Sequence, residues 1–193
     1  MTWQGNTSRY LLINWDSMRI IITGSPGTGK SIVAKLLAKK LGLELVDIKA
    51  IVRKKKLAKN HEVDLSKLTS ALGFLKKRDD YIAEGHLACE IRLPSDYLFV
   101  LRTNPKTLKK RLAKRKYPKK KLEGNLMAEM LDYCTQRAEK VYRKTALELD
   151  TSSLTAAKAA SMLEAAIKQK KKKLDSVNYS KELKAYLNLG GPS

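Results

Sequence analysis

Cysteine is scarce in this chain: Cys89 and Cys134 are the only two among 193 residues. They form neither a CxxC pair nor a spacing that holds a metal, which excludes a disulfide scaffold and a zinc ribbon and leaves two free thiols suited to a reducing cytosol. No apolar run approaches the ~18 residues that a membrane span requires. Leu11-Leu12-Ile13 is too short an apolar stretch for a signal peptide. No internal repeat is visible. The scarcest commodity is negative charge. Forty Lys and Arg stand against nineteen Asp and Glu, for a net charge of +21 and an isoelectric point near 10.0. Lysine-rich thermophile compositions normally raise glutamate together with lysine, and here the acids do not keep pace. An excess of this kind serves contact with nucleic acid better than it serves small-molecule chemistry.

What is present is organised around Gly24-Ser25-Pro26-Gly27-Thr28-Gly29-Lys30-Ser31. Gly, four free positions, Gly, Lys and Ser is the template of a loop whose backbone N–H groups surround phosphate oxygens. In such a loop Lys30 reaches the outer phosphates and the Ser31 hydroxyl binds Mg²⁺. The helix that follows adds partial positive charge at its N-terminus. Context supports the motif: Arg19-Ile20-Ile21-Ile22-Thr23 reads as a buried parallel strand before it, and Ile32, Val33, Leu36, Leu37 and Leu41 fall at helical spacing after it, stopped by Gly42. The pattern predicts a nucleoside triphosphate site.

The length suits one α/β domain with small inserts. Met18 immediately precedes the first strand and is a candidate natural start, so residues 1–17 are expected to be an N-terminal extension. Leu43-Glu44-Leu45-Val46 reads as a second strand ending at Asp47. A basic helix with Arg53 follows, then an amphipathic one with Leu65, Leu68, Leu72 and Leu75, capped by Asp64. Tyr81-Ile82-Ala83 is a third strand, delivering Glu84-Gly85-His86 at the carboxyl end, the edge at which open parallel sheets bind ligands. A carboxylate there can hold Mg²⁺ and an imidazole can orient a proton or water. Tyr97-Leu98-Phe99-Val100-Leu101 is a fourth strand closed by Arg102-Thr103-Asn104 at the same edge, and Pro105 opens a helix. Lys106 to Lys121 holds ten basic residues and no acid, with Arg111 and Arg115 one turn apart, placed to clamp a transferring phosphoryl group. One long helix is expected from about Asn125 to Glu148, with Leu126, Met130, Tyr133, Arg137 and Val141 along one side, although Leu147-Glu148-Leu149-Asp150 also reads as a last strand. Thr155 to Lys170 is an alanine-rich helix; the pattern assigns no role to 174–189.

The phosphate loop, Glu84-Gly85-His86, Leu101-Arg102-Thr103, Arg111, Arg115-x-Tyr117 and Lys121-Leu122-x-x-Asn125 together resemble the adenylate kinase isoenzyme six family over Met18 to about Asp150. The resemblance implies an α/β P-loop NTPase fold of the nucleoside monophosphate kinase type, a central parallel sheet flanked by helices, with a short lid. It implies a kinase domain over 18–150, a monophosphate-binding arm over about 47–77, a lid over about 114–124 and a basic helical region over 151–193 that packs on the domain or extends it. By the same resemblance Gly27, Gly29, Lys30, Ser31, Ile32 and Arg115 contact ATP, Asp47 and Arg53 the acceptor, and Ser31 with Glu84 the Mg²⁺. Lys30, Glu84, His86, Arg111 and Arg115 are the expected catalytic set. Two departures stand out: the acidic position carries Glu84 where many members have Asp, and Gly124 replaces the acid common before Asn125. The family's activity would be phosphoryl transfer from ATP to AMP or another nucleoside monophosphate, with ATPase activity, in a cytoplasmic protein. Its partners would be a small-ribosomal-subunit protein and rRNA, which would give the charge a reason. An assembly ATPase with incidental kinase activity, or a small-molecule kinase with another acceptor, remain the alternatives.

Overall fold

A computed structural model describes residues 17–60, 62–114 and 117–188. The apolar run Arg19–Thr23 forms strand β1. The phosphate-loop segment leads into helix α1 (Lys30–Leu41), and Gly42 ends it in a left-handed conformation. Strand β2 (Glu44–Asp47) hands directly to α2 (Ile48–Lys54). A small antiparallel hairpin follows, β3 (Ala58–Lys59) with β4 (Glu62–Val63), then α3 (Leu65–Ala71) and a 3-10 turn over Gly73–Lys77. Strand β5 (Tyr81–Glu84) is followed by a second 3-10 turn (His86–Cys89), and β6 (Tyr97–Arg102) by α4 (Pro105–Ala113), α5 (Lys119–Met130) and α6 (Tyr133–Tyr142). The chain finishes with β7 (Leu147–Asp150), α7 (Ala156–Lys168) and α8 (Ser180–Asn188). The main sheet has five strands in the order β2-β5-β1-β6-β7, every neighbouring pair parallel. This is the expected P-loop NTPase architecture.

Alternation along β1 shows why the sheet is covered twice. Ile21 points into one core with Val46, Ile48, Leu68, Leu72 and Leu75, which brings α2 and α3 onto that face. Ile20 and Ile22 point into the other, with Val33 and Leu37 of α1 and Leu163 of α7. Thus α7 is a core helix of the sheet's second face. A third, smaller cluster joins Leu108 and Leu112 of α4, Leu126 and Met130 of α5, and Tyr179 just before α8.

Two expectations need correction. The helix read from about Asn125 to Glu148 is two helices, broken at Leu131-Asp132, and its last residues form a turn after α6 and the start of β7. Asp132 takes a left-handed φ of 54°, which rotates the second helix, so that Cys134, Ala138 and Tyr142 are its buried residues. Second, Arg102 is not an open binding-edge group. It is 1% exposed and paired with Glu129, Asp132 and Glu148, with its guanidinium 5.2 Å from the Tyr179 ring.

Candidate active site

The carboxyl ends of β1, β5 and β2 meet at one place because their register is fixed: Ile22 lies opposite Glu84, and Glu84 opposite Asp47. The loop after β1 crosses this edge in a conformation that needs glycine twice. At Gly24 (φ +134°) a Cβ would lie 2.3 Å from the Leu101 carbonyl oxygen, and at Gly27 (φ +100°) it would lie 2.7 Å from Leu108 Cδ1. Helices α2, α3, α4 and α7 begin with a side-chain cap from Asp47, Asp64, Asn104 and Thr155, whereas α1 begins at Gly29 with none. Its first N–H groups therefore have no side-chain acceptor and face the loop, the arrangement that attracts an anion.

Lys30 is the first residue of α1 and is nearly buried, not set in an exposed loop as a local reading suggests. Its ammonium donates to the Ser25 carbonyl at 2.9 Å, so it lies across the loop it would serve. Glu84 is 3% exposed. Burial pushes its carboxyl above the ordinary value; the Ser31 hydroxyl, hydrogen-bonded to it, and the Lys30 ammonium pull it part of the way back. His86 is exposed at its edge yet crowded by protein, and burial together with the positive charges of Lys30, Lys49 and Lys121 lowers it to about 4. Its imidazole is neutral at physiological pH and can accept or relay a proton without carrying a charge.

The remaining expected residues fall in different places. Ile32 lies in the first turn of α1 and is 63% exposed, beside the loop rather than in the core. Asp47 caps α2, accepting from the Ala50 N–H at 2.9 Å, and Arg53 is exposed in the last turn of that helix. Arg111 lies at the strand ends, where its guanidinium donates to the Thr151 carbonyl at 2.8 Å and to Thr103 Oγ1 at 3.2 Å and so fastens α4 to the sheet edge. Arg115 lies outside the described residues.

Sequence reading missed Thr28, Thr151 and the cysteines. Thr151 Oγ1 lies 2.9 Å from the Thr28 carbonyl and 2.8 Å from Thr103 Oγ1, tying the end of β7 to the phosphate loop. Cys134 Sγ lies 4.0 Å from Ser25 Oγ and also contacts Cys89, so thiols distant in sequence meet under the loop. No local pattern flags such contacts.

The family profile described as AAA domain matches residues 20–132. A protein of Methanocaldococcus jannaschii named "Putative adenylate kinase" is 35% identical over 181 residues, covering 89% of this chain and 98% of its own. A Pyrococcus furiosus protein of the same name is 31% identical over 182 residues, covering 90% and 99%. The chain belongs to this adenylate-kinase-like family. The adenylate-kinase-like fold is also that of a shikimate kinase from Acinetobacter baumannii solved with shikimate (TM-score 0.61, 22% identity, 82% of this chain and 97% of that one). The YorR protein of Bacillus subtilis, solved with phosphorylated GDP, gives a TM-score of 0.58 at 18% identity over 79% of this chain and 97% of that one. At such identities the likeness speaks for the fold alone.

Oxygen donors suit a magnesium ion at this adenylate-kinase-like site. The Ser31 hydroxyl and Glu84 carboxylate adjoin each other at the foot of the phosphate loop, and a divalent cation would favour the ionised form that burial disfavours. Among the described residues no three His, Cys, Asp or Glu side chains group into a metal cage. Mg²⁺ needs no such cage, since it keeps waters and takes ligands from substrate phosphates.

Proposed function

We propose that the chain is a nucleoside monophosphate kinase of the adenylate kinase isoenzyme six type, transferring the γ-phosphoryl group of ATP to AMP or a similar monophosphate, with some ATPase activity. The observation that carries this is the convergence of Lys30, Ser31 and Glu84 under a glycine loop at the carboxyl edge of a parallel sheet. The names of the relatives support the choice of acceptor. Phosphoryl transfer asks little covalent chemistry of a protein, so positioning and charge neutralisation suffice. In this reading the N–H groups of Gly27 and Gly29 and the first turn of α1 bind ATP phosphates, with Ile32 packing beside them. Lys30 draws off charge from the transferring group, and Ser31 and Glu84 hold Mg²⁺, which supplies further charge neutralisation. Neutral His86 orients a proton or water, Asp47 and Arg53 face the acceptor, and Arg115 meets the phosphoryl group on closure. The catalytic domain spans 18–150, with the acceptor arm over about 47–77 and the lid over about 114–124.

A panel assay decides the acceptor. Purified protein with ATP and Mg²⁺ is expected to convert AMP to ADP at a rate well above its ATP hydrolysis. Turnover of a sugar-like acceptor with no monophosphate accepted would overturn the reading.

A place in small-ribosomal-subunit maturation, with ATP hydrolysis switching contacts to rRNA and a ribosomal protein in the cytoplasm, is supported by the net charge of +21. ATPase stimulation on adding precursor small subunits is the expected result; unchanged hydrolysis would remove that role.

Glu84 supplies a separate test. Because burial raises its folded-state carboxyl above the ordinary value, ionising it costs stability as pH rises from about 4.3, the unfolded value, through the raised one. In metal-free protein Glu84→Gln is therefore expected to melt higher than the parent at neutral pH. The gain fades on acidification, where both folded and unfolded parents carry the proton. The same variant should lose about ten- to a hundredfold in Mg²⁺-dependent turnover. A variant that melts lower at neutral pH, or keeps full turnover, contradicts the assignment.

A further inference from the structure

Away from the phosphate loop, at the amino edge of the sheet, lies a cavity of about 500 Å³. Its walls come from the segments that lead into three strands: Lys76 before β5, Arg92 and Pro94 before β6, and Arg143 with Lys144 before β7. Four of its lining residues are cations. Among the described residues Lys76, Arg92 and Arg143 are exposed and have no carboxylate partner. Lys144 is half-buried and held in place, its ammonium donating to the carbonyls of Ser95 at 2.7 Å and Asp96 at 3.3 Å. An ammonium has three donors, so these two bonds leave one over. The nearby acids are already engaged: Asp96 receives Arg19 at 3.1 and 3.0 Å, and Asp79 lies 3.9 Å from the same guanidinium. Clustering four cations beside acids already paired with Arg19 is unfavourable in isolation and becomes favourable against a polyanion.

The geometry points to this cavity as a binding site for the phosphodiester backbone of nucleic acid. The chain-wide charge of +21 extends the attraction well beyond the four cations. The cavity offers no stacking platform: Tyr142 is 5% exposed and its hydroxyl is committed to the Ala88 carbonyl. Binding therefore reads phosphates and not bases, and RNA and DNA strands of equal length bind alike. This goes beyond the catalytic reading and does not depend on it, because the two sites occupy opposite strand ends.

The test uses fluorescence anisotropy of a short labelled single strand of mixed sequence over a salt series, with the full chain. The variant is Arg92→Ala combined with Arg143→Asn; asparagine is chosen because Arg143 has φ 54°, which asparagine tolerates. It is expected to bind roughly tenfold more weakly at low salt, with the slope of log K against log salt reduced by about 1.4 for two lost single-strand contacts. Kinase turnover on free nucleotides and the melting temperature stay at parental values. Lys171→Ala with Lys172→Ala removes equal charge elsewhere and should change affinity clearly less. The assignment is overturned if the cavity variant binds like the parent, if the control loses as much, or if polyglutamate competes as well as nucleic acid at equal charge. Loss of turnover on AMP in the parent chain would count against the catalytic reading and leave this one standing.

Discussion

Replacing Lys30 by alanine is expected to lower phosphoryl transfer by at least about a hundredfold at saturating ATP while leaving the fold intact. The ammonium sits nearly buried across its loop. Charge in such a water-poor place interacts more strongly with developing negative charge than it would in solvent. Its removal leaves the Ser25 carbonyl satisfied, because that oxygen also accepts from Thr28, through its hydroxyl at 3.0 Å and its N–H at 3.3 Å, and Glu84 can take up a proton in place of the lost charge. The melting temperature should therefore stay close to the parental value. Turnover within tenfold of the parent, in a variant that melts normally, would remove Lys30 from the mechanism and the proposed reaction with it.

The second large effect is on stability. Arg102→Met is expected to cost about 3–5 kcal/mol, because it strands buried acids that one guanidinium now satisfies. Its Nε donates to Glu129 Oε1 at 2.9 Å and its Nη2 to the Glu129 carbonyl at 2.9 Å, while Asp132 and Glu148 complete the set. Glu129 is 1% exposed and its Oε2 has no hydrogen-bond partner among the described residues, so it has little reserve. For a chain of this size the loss corresponds to a fall of roughly 10 °C in melting temperature. Adding Glu129→Gln should recover part of it, since the residual cost is that of an uncompensated charge. Denaturant titration reads both; a loss under about 1 kcal/mol would show that water replaces the guanidinium at little expense.

What was legible in the sequence was local. The β1–loop–α1 unit announces itself through contiguous residues whose roles depend on one another: an apolar β-branched run, glycines where the backbone must turn, then lysine and serine. Glu84 was legible because the end of a strand fixes which edge a residue occupies. The break at Asp132 was not. No proline or glycine marks it, and Tyr133, Arg137 and Val141 continue the side begun by Leu126 and Met130 at helical spacing, well enough to pass for one helix. The structure buries Cys134, Ala138 and Tyr142 instead, one position further along. The cause is distant in the chain: Arg102, on a strand, holds both Glu129 and Asp132, fixing the geometry of the turn between α5 and α6. The tether made by Arg111 was hidden for a related reason. Spacing put that arginine near a phosphate site, but only the assembled sheet shows that Thr103 and Thr151 occupy its donors.

The tether made by Arg111 is one half of a longer link. Helix α4 is bolted at Arg111 to Thr151, and Thr151 is in turn fastened to the phosphate loop through the Thr28 carbonyl. Sheet edge, loop and α4 are thus cross-linked through Thr151. The end of β7 thereby braces two neighbours at once, the helix through Arg111 and the loop through Thr28, so a change at Thr151 would loosen both together.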